Sequence, residues 1–407
     1  MMKQLNVILL GAEVGTLEQS ADGRLSFCYA AEWLERGRPL SQSLPLRPEA
    51  FAERECAPFF GGLLPEEQSR EIVAQNLGIT ARNDYAMLRE IGGECAGAIS
   101  LIPFDALPTD PTRTYAPISN AELIDLLAQL PQRPLLAGKP EIRLSLAGAQ
   151  NKVALRLDES GNYSIPLNES PSTHIIKPES ERFPGVAENE AYCLKLAAEV
   201  GLNVCQAEAR KFGPHSCLLV TRYDRVIRGD TVERLHQEDF CQALAISSRT
   251  KYQNEGGPSL AQSFDLLRRA SASPARDLIQ LFNAVLFNYL IGNHDAHGKN
   301  FSLLYSPLGE RFSVRLAPFY DLISTAIYSE LTTKMAMKIG KGYEPAELRL
   351  RDWELYWEAI GFSKKQALRQ TIQFVDLVNQ RSAAETDIQK SIQAVIQLRS
   401  AALRQLL

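Results

Sequence analysis

The sequence predicts an α+β protein in which a small mixed α/β N-terminal domain and a strand-rich segment precede a mostly helical one. Three observations lead there. The chain has 407 residues, 45% hydrophobic and 23% charged, the composition of an ordinary globular protein. At roughly 100 to 200 residues per domain, that is room for two or three cores. Strand signals dominate from Glu141 to about Thr231, and helical periodicity dominates beyond Gln237.

Taken in order, residues 5–30 alternate β-formers around a turn at Ala21-Asp22-Gly23, predicting a short antiparallel meander, with helices after Pro65 and near Asn83 to Ile91. Seven prolines (103, 108, 111, 117, 131, 134 and 140) then flank one short helical pattern, Asn120 to Leu130, the signature of a linker carrying a packed helix. Strands are expected at Ile142 to Leu146, Lys152 to Leu157, His174 to Lys177 and Cys217 to Tyr223, with one helix after Pro184-Gly185 that stops at Gly201. Beyond Gln237, Phe282, Val285, Leu286, Tyr289 and Leu290 mark an amphipathic helix by their spacing. The expected domains are 1–105, a proline-rich linker at 106–140, a β-rich lobe at 141–236 and a helical lobe at 237–407.

Forty-four Lys and Arg against 48 Asp and Glu leave a net charge of −4, which excludes an autonomous nucleic-acid binder. Seven cysteines (28, 56, 95, 193, 205, 217 and 241) form no C-x-x-C, so reduced packed thiols are expected instead of disulfides or a zinc knuckle. The apolar run at Asn6 to Leu10 is short for a signal peptide, and nothing reaches the ~18 apolar residues of a membrane span. A cytoplasmic protein is expected.

The polar run His294-Asp295-Ala296-His297-Gly298-Lys299-Asn300 interrupts an apolar surround. Gly292-Asn293-His294-Asp295 mimics a box of dinuclear metallophosphatases, but of the five histidines (174, 215, 236, 294 and 297) none follows position 297 to complete such a centre. Asp295 to Asn300 instead has the D-x-x-x-x-N spacing of a kinase catalytic loop, in which the carboxylate meets the acceptor hydroxyl and the amide oxygen folds back to magnesium. A second metal ligand should follow on the next hairpin, and Asp321, after Pro318-Phe319-Tyr320, supplies a carboxylate. Upstream, Ser145-Leu146-Ala147-Gly148-Ala149-Gln150-Asn151-Lys152 offers small residues whose N–H groups can approach phosphates. Lys177 ends an apolar strand, and Glu190, in the first turn of the crossing helix, can pair with it; Glu188 is the weaker alternative. Taken singly, Lys177 reads as a solvated strand-end lysine, Glu190 as a charge favouring the helix dipole, and Ser145 as an ordinary strand serine.

These stretches, with Phe59 to Pro65, His174 to Pro178, Asn189-Glu190, Gln237-Glu238-Asp239, Lys251-Tyr252 and Gly256-Gly257-Pro258, make the chain resemble the HipA family of bacterial toxin kinases over nearly its whole length. The resemblance implies a two-lobed protein-kinase-like fold. It also implies an ATP- and magnesium-dependent Ser/Thr protein kinase that phosphorylates an aminoacyl-tRNA synthetase and is restrained by a HipB-like helix-turn-helix antitoxin. Operator DNA would be bound only through that complex. Position by position, it puts the ATP site on Ala147, Gly148, Ala149, Gln150, Asn151 and Lys152, on Lys177, and on a hinge formed by Thr221, Arg222 and Tyr223. It continues through His297, Gly298, Lys299 and Asn300 to Tyr320 and Asp321, with Asp295 as the catalytic carboxylate. Lys299 would neutralise charge on the moving phosphoryl group, Asn300 and Asp321 would hold magnesium, and Ser145 matches an autophosphorylated, inactivating serine. Two rivals stand beside this reading. The loop departs from G-x-G-x-x-G and Tyr320-Asp321-Leu322 from D-F-G, which suits a small-molecule or lipid kinase, and a non-catalytic antitoxin- and DNA-binding co-repressor is the other.

Overall fold

The computed structural model describes residues 3–106, 114–139, 141–180, 182–229, 231–308 and 311–407. Pro108, Pro111 and Pro140 of the proline-dense stretch lie outside the described residues. The chain forms two compact bodies. One comprises Met1–Pro178, Arg210–Ser248 and Leu304–Phe312; the other comprises Glu179–Ala209, Arg249–Leu303 and Ser313–Leu407.

The first body opens with the expected meander: β1 (Lys3–Leu9), β2 (Ala12–Gln19) and β3 (Leu25–Tyr29) pair antiparallel, Leu5 opposite Leu17 and Leu17 opposite Phe27. Alternate residues Leu5, Val7 and Leu9 are buried, so the period of two in the sequence becomes one face of a sheet. After α1 (Ala31–Arg36) come β4 (Phe51–Ala52), α2 (Glu53–Gly62), α3 (Glu67–Leu77), α4 (Asp84–Ile91, capped by the Asn83 side chain) and β5 (Ile99–Pro103). The sheet order is β4-β3-β2-β1-β5.

A second sheet in this body draws on β6 (Tyr115–Ile118), β7 (Val153–Leu157), β8 (Tyr163–Pro166), β9 (His174–Pro178), β10 (Ala207–Phe212) and β11 (His215–Thr221), in the order β10-β11-β9-β7-β8-β6. Its edge strand β6 and the helix α5 (Asn120–Gln129), closed by a Ser119/Glu122 capping box, come from the proline-dense stretch. One expected strand is absent. Ile142 to Leu146 has no strand pairing beyond an isolated bridge from Leu144 to Glu94. Glu141 there takes a left-handed φ of 62°, which breaks the extended run, and the buried Ile142, Leu144 and Leu146 pack into the N-terminal core instead. A hairpin of β12 (Arg225–Arg228) and β13 (Thr231–Arg234), then β14 (His236–Asp239) and α7 (Phe240–Ala243), follow.

The crossing helix of the second body is α6 (Val186–Glu199). Next come α8 (Leu260–Ala270), α9 (Pro274–Ile291), the hairpin β15 (Ser302–Leu308) and β16 (Arg311–Leu316) shared with the first body, and α10 (Leu350–Ala359), α11 (Lys364–Arg381) and α12 (Asp387–Leu406). Pro274 starts α9 at its first turn, where a missing N–H costs nothing. Gly292 ends it at φ +70°, and a Cβ there would fall 2.5 Å from the Ala326 Cβ, so only glycine turns the chain out of the helix toward Asn293. Phe264, Phe282, Tyr289, Trp353 and Trp357 fill this core. Among the described residues, no helix is long and apolar enough to cross a membrane.

Candidate functional site

The candidate residues fall into two groups, one in each body. In the first, the segment from Ser145 to Lys152 leads into β7, which pairs with β9 (Val153 opposite Ile176). β9 in turn pairs with β11, placing Leu218 opposite Lys177. Lys177 is 8% exposed, so the solvated reading is set aside: a lysine this buried needs partners, and it has them. Gly148 sits at φ +102°, where a Cβ would come 2.7 Å from the Lys152 Nζ. Lys152 Nζ donates to the Ala147 carbonyl (2.5 Å), folding the loop on itself, while Ser69 Oγ donates to the Ala149 carbonyl (2.7 Å) and the Glu66 N–H to the Gly148 carbonyl (3.2 Å). The loop is thus anchored through its carbonyls, and Gln150 and Asn151 carry it into β7.

Ser145 is fully buried. Its Oγ donates to the Leu63 carbonyl (2.8 Å), and its N–H donates to the Glu94 carbonyl (2.9 Å). Glu94 is also the hub of a buried ion network. Its carboxylate accepts from Arg222 (3.0 Å), Arg225 (2.5 Å) and the Ser172 N–H (3.3 Å), and Asp224 closes the circuit with Arg222 (2.8 Å). Burial alone would raise the Glu94 carboxyl, yet the surrounding guanidinium groups hold it below the usual carboxylate range. The Arg222 side chain is therefore committed to this network, and its N–H donates to the Thr173 carbonyl (2.9 Å). Of the other two residues expected at the hinge, Thr221 Oγ1 meets His174 Nε2 (3.3 Å) and the Tyr223 hydroxyl donates to Gln237.

In the second body, the chain leaves α9 through a tight polar turn. The Asp295 N–H donates to Asn293 Oδ1 (3.0 Å), and the Asp295 carbonyl accepts from the His297 N–H (2.8 Å) and from Asn300 Nδ2 (3.1 Å). The spacing D-x-x-x-x-N thus closes a ring through one carbonyl. A short 3-10 turn over Gly298–Asn300 buries Gly298 and Lys299, and His297 is 6% exposed. The Tyr320 hydroxyl donates to the Lys299 carbonyl (2.6 Å) and meets Ser302 Oγ (2.7 Å), which sets Tyr320-Asp321 against the same turn. Asp321 has φ +51°, a left-handed conformation rare for a non-glycine residue, and its carbonyl accepts from Asn293 Nδ2 (3.4 Å). Asp295, His297, Gly298, Lys299, Asn300, Tyr320 and Asp321 are therefore brought together.

Asn300 and Asp321 offer hard oxygen donors of the kind magnesium takes. Committing the Asn300 N–H group to Asp295 turns its amide oxygen away from that bond, as a ligand role requires. Among the described residues, no group of three or more His, Cys, Asp or Glu gathers as a metal cage, and magnesium held by one or two protein ligands and substrate phosphates needs none.

Glu190 is 4% exposed in the second body. Glu188 is engaged elsewhere, accepting from Thr386 and Gln389 at the start of α12. Beside Glu190, Asn189 exchanges two bonds of 2.9 Å with the Ser324 backbone, three residues beyond Asp321. Three residues that bear on the site were given no role of their own by the sequence reading: Glu94, Asn189 and Tyr252, whose hydroxyl donates to Asp295 Oδ1 (2.6 Å). Asn189-Glu190, and Lys251-Tyr252 ahead of Gly256-Gly257-Pro258, hinted at the last two as stretches of the family resemblance, and nothing hinted at Glu94.

Family models for the HipA N-terminal domain and the HipA-like C-terminal domain match residues 5–102 and 144–387. A putative kinase of Sinorhizobium fredii, Y4mE, is 46% identical over 92% of this chain and 90% of its own. The serine/threonine-protein kinase toxin HipA of Shewanella oneidensis is 30% identical over 83% of this chain and 78% of its own. A solved structure of HipA from that organism, in complex with HipB and operator DNA, superposes with a TM-score of 0.83 at 27% identity, covering 98% of this chain and 96% of that one.

Proposed function

The chain belongs to the HipA family of kinases, with its α+β, two-lobed kinase-like fold, and from that premise we propose that it transfers phosphate from magnesium-bound ATP to a serine or threonine of a protein, as the toxin of a toxin-antitoxin pair. The observation that carries the chemistry is the turn at Asp295. One carboxylate oxygen is held by Tyr252 and the Asp295 carbonyl by Asn300, while the Asp295 side chain is only half-buried and can meet an acceptor hydroxyl.

Asp295 orients that hydroxyl and takes its proton as the oxygen attacks. Lys299 offsets charge on the phosphoryl group in transit, Lys177 with Glu190 grips the α and β phosphates, and the Ala147 to Lys152 loop covers them. The hinge Thr221-Arg222-Tyr223 takes the adenine, and because the Arg222 guanidinium and N–H are committed, it contributes through its carbonyl. Magnesium on Asn300 and Asp321 supplies charge neutralisation when bound. The functional units on this reading are 1–105, 106–140, 141–236 and 237–407.

The acceptor proposed is an aminoacyl-tRNA synthetase, so that activity slows translation and growth. Ser145 is the proposed self-modified residue. A phosphate of about −1.5 to −2 charges has no place in its buried pocket and would expel the segment, inactivating the kinase. The partner proposed is a helix-turn-helix antitoxin, with operator DNA reached only through it, which suits a chain of net charge −4. The location proposed is the cytoplasm.

Purified protein incubated with labelled ATP, magnesium and lysate should put label into protein, and Asp295→Gln should lower transfer ~100- to 10,000-fold with nucleotide still bound. Label appearing in extractable metabolites would favour the small-molecule rival. No transfer by the unaltered chain would favour the non-catalytic one.

A further inference from the structure

We propose that Tyr252 is a positioning residue for phosphoryl transfer: its hydroxyl fixes the rotamer of the Asp295 carboxylate and leaves the second carboxylate oxygen for the acceptor. The proposal rests on the kinase reading above and extends it to a residue 43 positions away in sequence.

The argument begins with the backbone. The Ala336 N–H donates to the His294 carbonyl (2.9 Å), and the Gln253 N–H donates to the Ala336 carbonyl (3.0 Å). Ala336 thus lies as a rung between the residue before Asp295 and the residue after Tyr252. The Gln253 side chain extends the rung by accepting from the Lys338 N–H (2.9 Å). With neighbours joined through Ala336, the bond from Tyr252 to Asp295 closes a small ring whose other sides are peptide. The phenol consequently reaches the carboxylate from a fixed base.

The ring of Tyr252 is fixed as well. It meets His297 edge to face at 5.2 Å, and the Lys251 ammonium lies 5.5 Å from its centroid. The turn that presents it is closed by the Glu255 and Gly257 N–H groups on the Tyr252 carbonyl (3.0 and 2.8 Å). Gly257 is required there, because a Cβ would fall 2.4 Å from the Lys251 carbonyl oxygen. An aspartate has two staggered rotamers to lose, and a phenol that holds one oxygen in place stores that order before substrate arrives.

Tyr252→Phe keeps the ring and its contacts and removes only the donor. Expected is a kcat lower by about 10- to 100-fold, the worth of one hydrogen bond to a charged group, with unchanged KM for ATP and unchanged binding of a non-hydrolysable nucleotide. In an Asp295→Asn background, assayed by single turnover, adding Tyr252→Phe should lower the residual rate no further, since the carboxylate it orients is gone. Full activity of Tyr252→Phe, an equal loss in both backgrounds, or a loss of nucleotide binding would each overturn the proposal, the last two marking a merely structural role. If the unaltered chain transfers no phosphate, the kinase reading fails and takes this proposal with it; if it does, failure of Tyr252→Phe to slow it sinks this proposal alone.

Discussion

The two bodies hold their share of the candidate site by different means. The first roots the start of the 145–152 segment and the 221–223 segment in buried charge, with Glu94, Arg222, Asp224 and Arg225 all nearly inaccessible. The second roots the Asp295 turn and the Asp321 segment beyond β16 in uncharged bonds between side chains and backbone, through Asn189, Asn293, Asn300 and Tyr320. A buried ion network is costly to break, because removing one member strands the others, whereas a neutral bond can be lost singly. The first arrangement suits a part that must keep its register, and the second a part whose groups are tuned one at a time.

Replacing Glu94 by Ala is the harshest test of that difference. It leaves the buried Arg222 and Arg225 with Asp224 as their one shared carboxylate and should cost about 3–5 kcal/mol, seen as an early transition of the first body in chemical denaturation. A loss near that of a neutral bond would erase the contrast.

A second, smaller effect sharpens it within the first body. Glu238, fully buried, accepts from Ser41, Tyr305 and the Gln42 N–H, and burial pushes its carboxyl up to about 7 from 4.5. The His236 ring lies tilted against Tyr305 (5.1 Å between centroids), and burial pushes its imidazole down to about 4 from 6.5. The Glu238 contribution is full below pH 4.5 and is lost as pH rises through 7. That of His236 is full above pH 6.5 and is lost as pH falls toward 4. At about 3 kcal/mol each, the two oppose one another across the mildly acidic range. Measured against the unaltered chain, Glu238→Gln should gain relative stability steadily from pH 4.5 to 7; parallel curves would show that the carboxyl does not titrate there.

The smallest effect belongs to the second body. Asn189→Ala removes two bonds to Ser324 and should cost about 1–3 kcal/mol. Thermal melts at one pH are sufficient, and a loss as large as that of Glu94→Ala would put both bodies in one class.

What the sequence made legible follows from the range of the forces involved. The meander could be read because Leu5, Val7 and Leu9 alternate on one buried face, and the Asp295 turn because its bonds close within five residues. Ile142 to Leu146 misled, since apolar alternation looks the same whether the segment joins a sheet or packs under one. Glu94 was invisible because its partners Ser172, Arg222 and Arg225 lie 78, 128 and 131 residues away. Nothing local marks a carboxylate as the one that will meet them. The pairing of Lys177 with Glu190 rests on order along the chain, and remains a proposal of that kind.

Ser145 carries one more consequence. Its hydroxyl lies under the Leu63 carbonyl and its amide on Glu94, so no donor of phosphate reaches it while the segment is seated. Any modification must wait for a transient local unfolding, and the same fluctuation exposes the amide to solvent exchange. The rate at which the segment opens, read from deuterium uptake at Ser145 under conditions where exchange outpaces reclosing, therefore sets the ceiling on how fast the residue can be modified, whichever molecule does it.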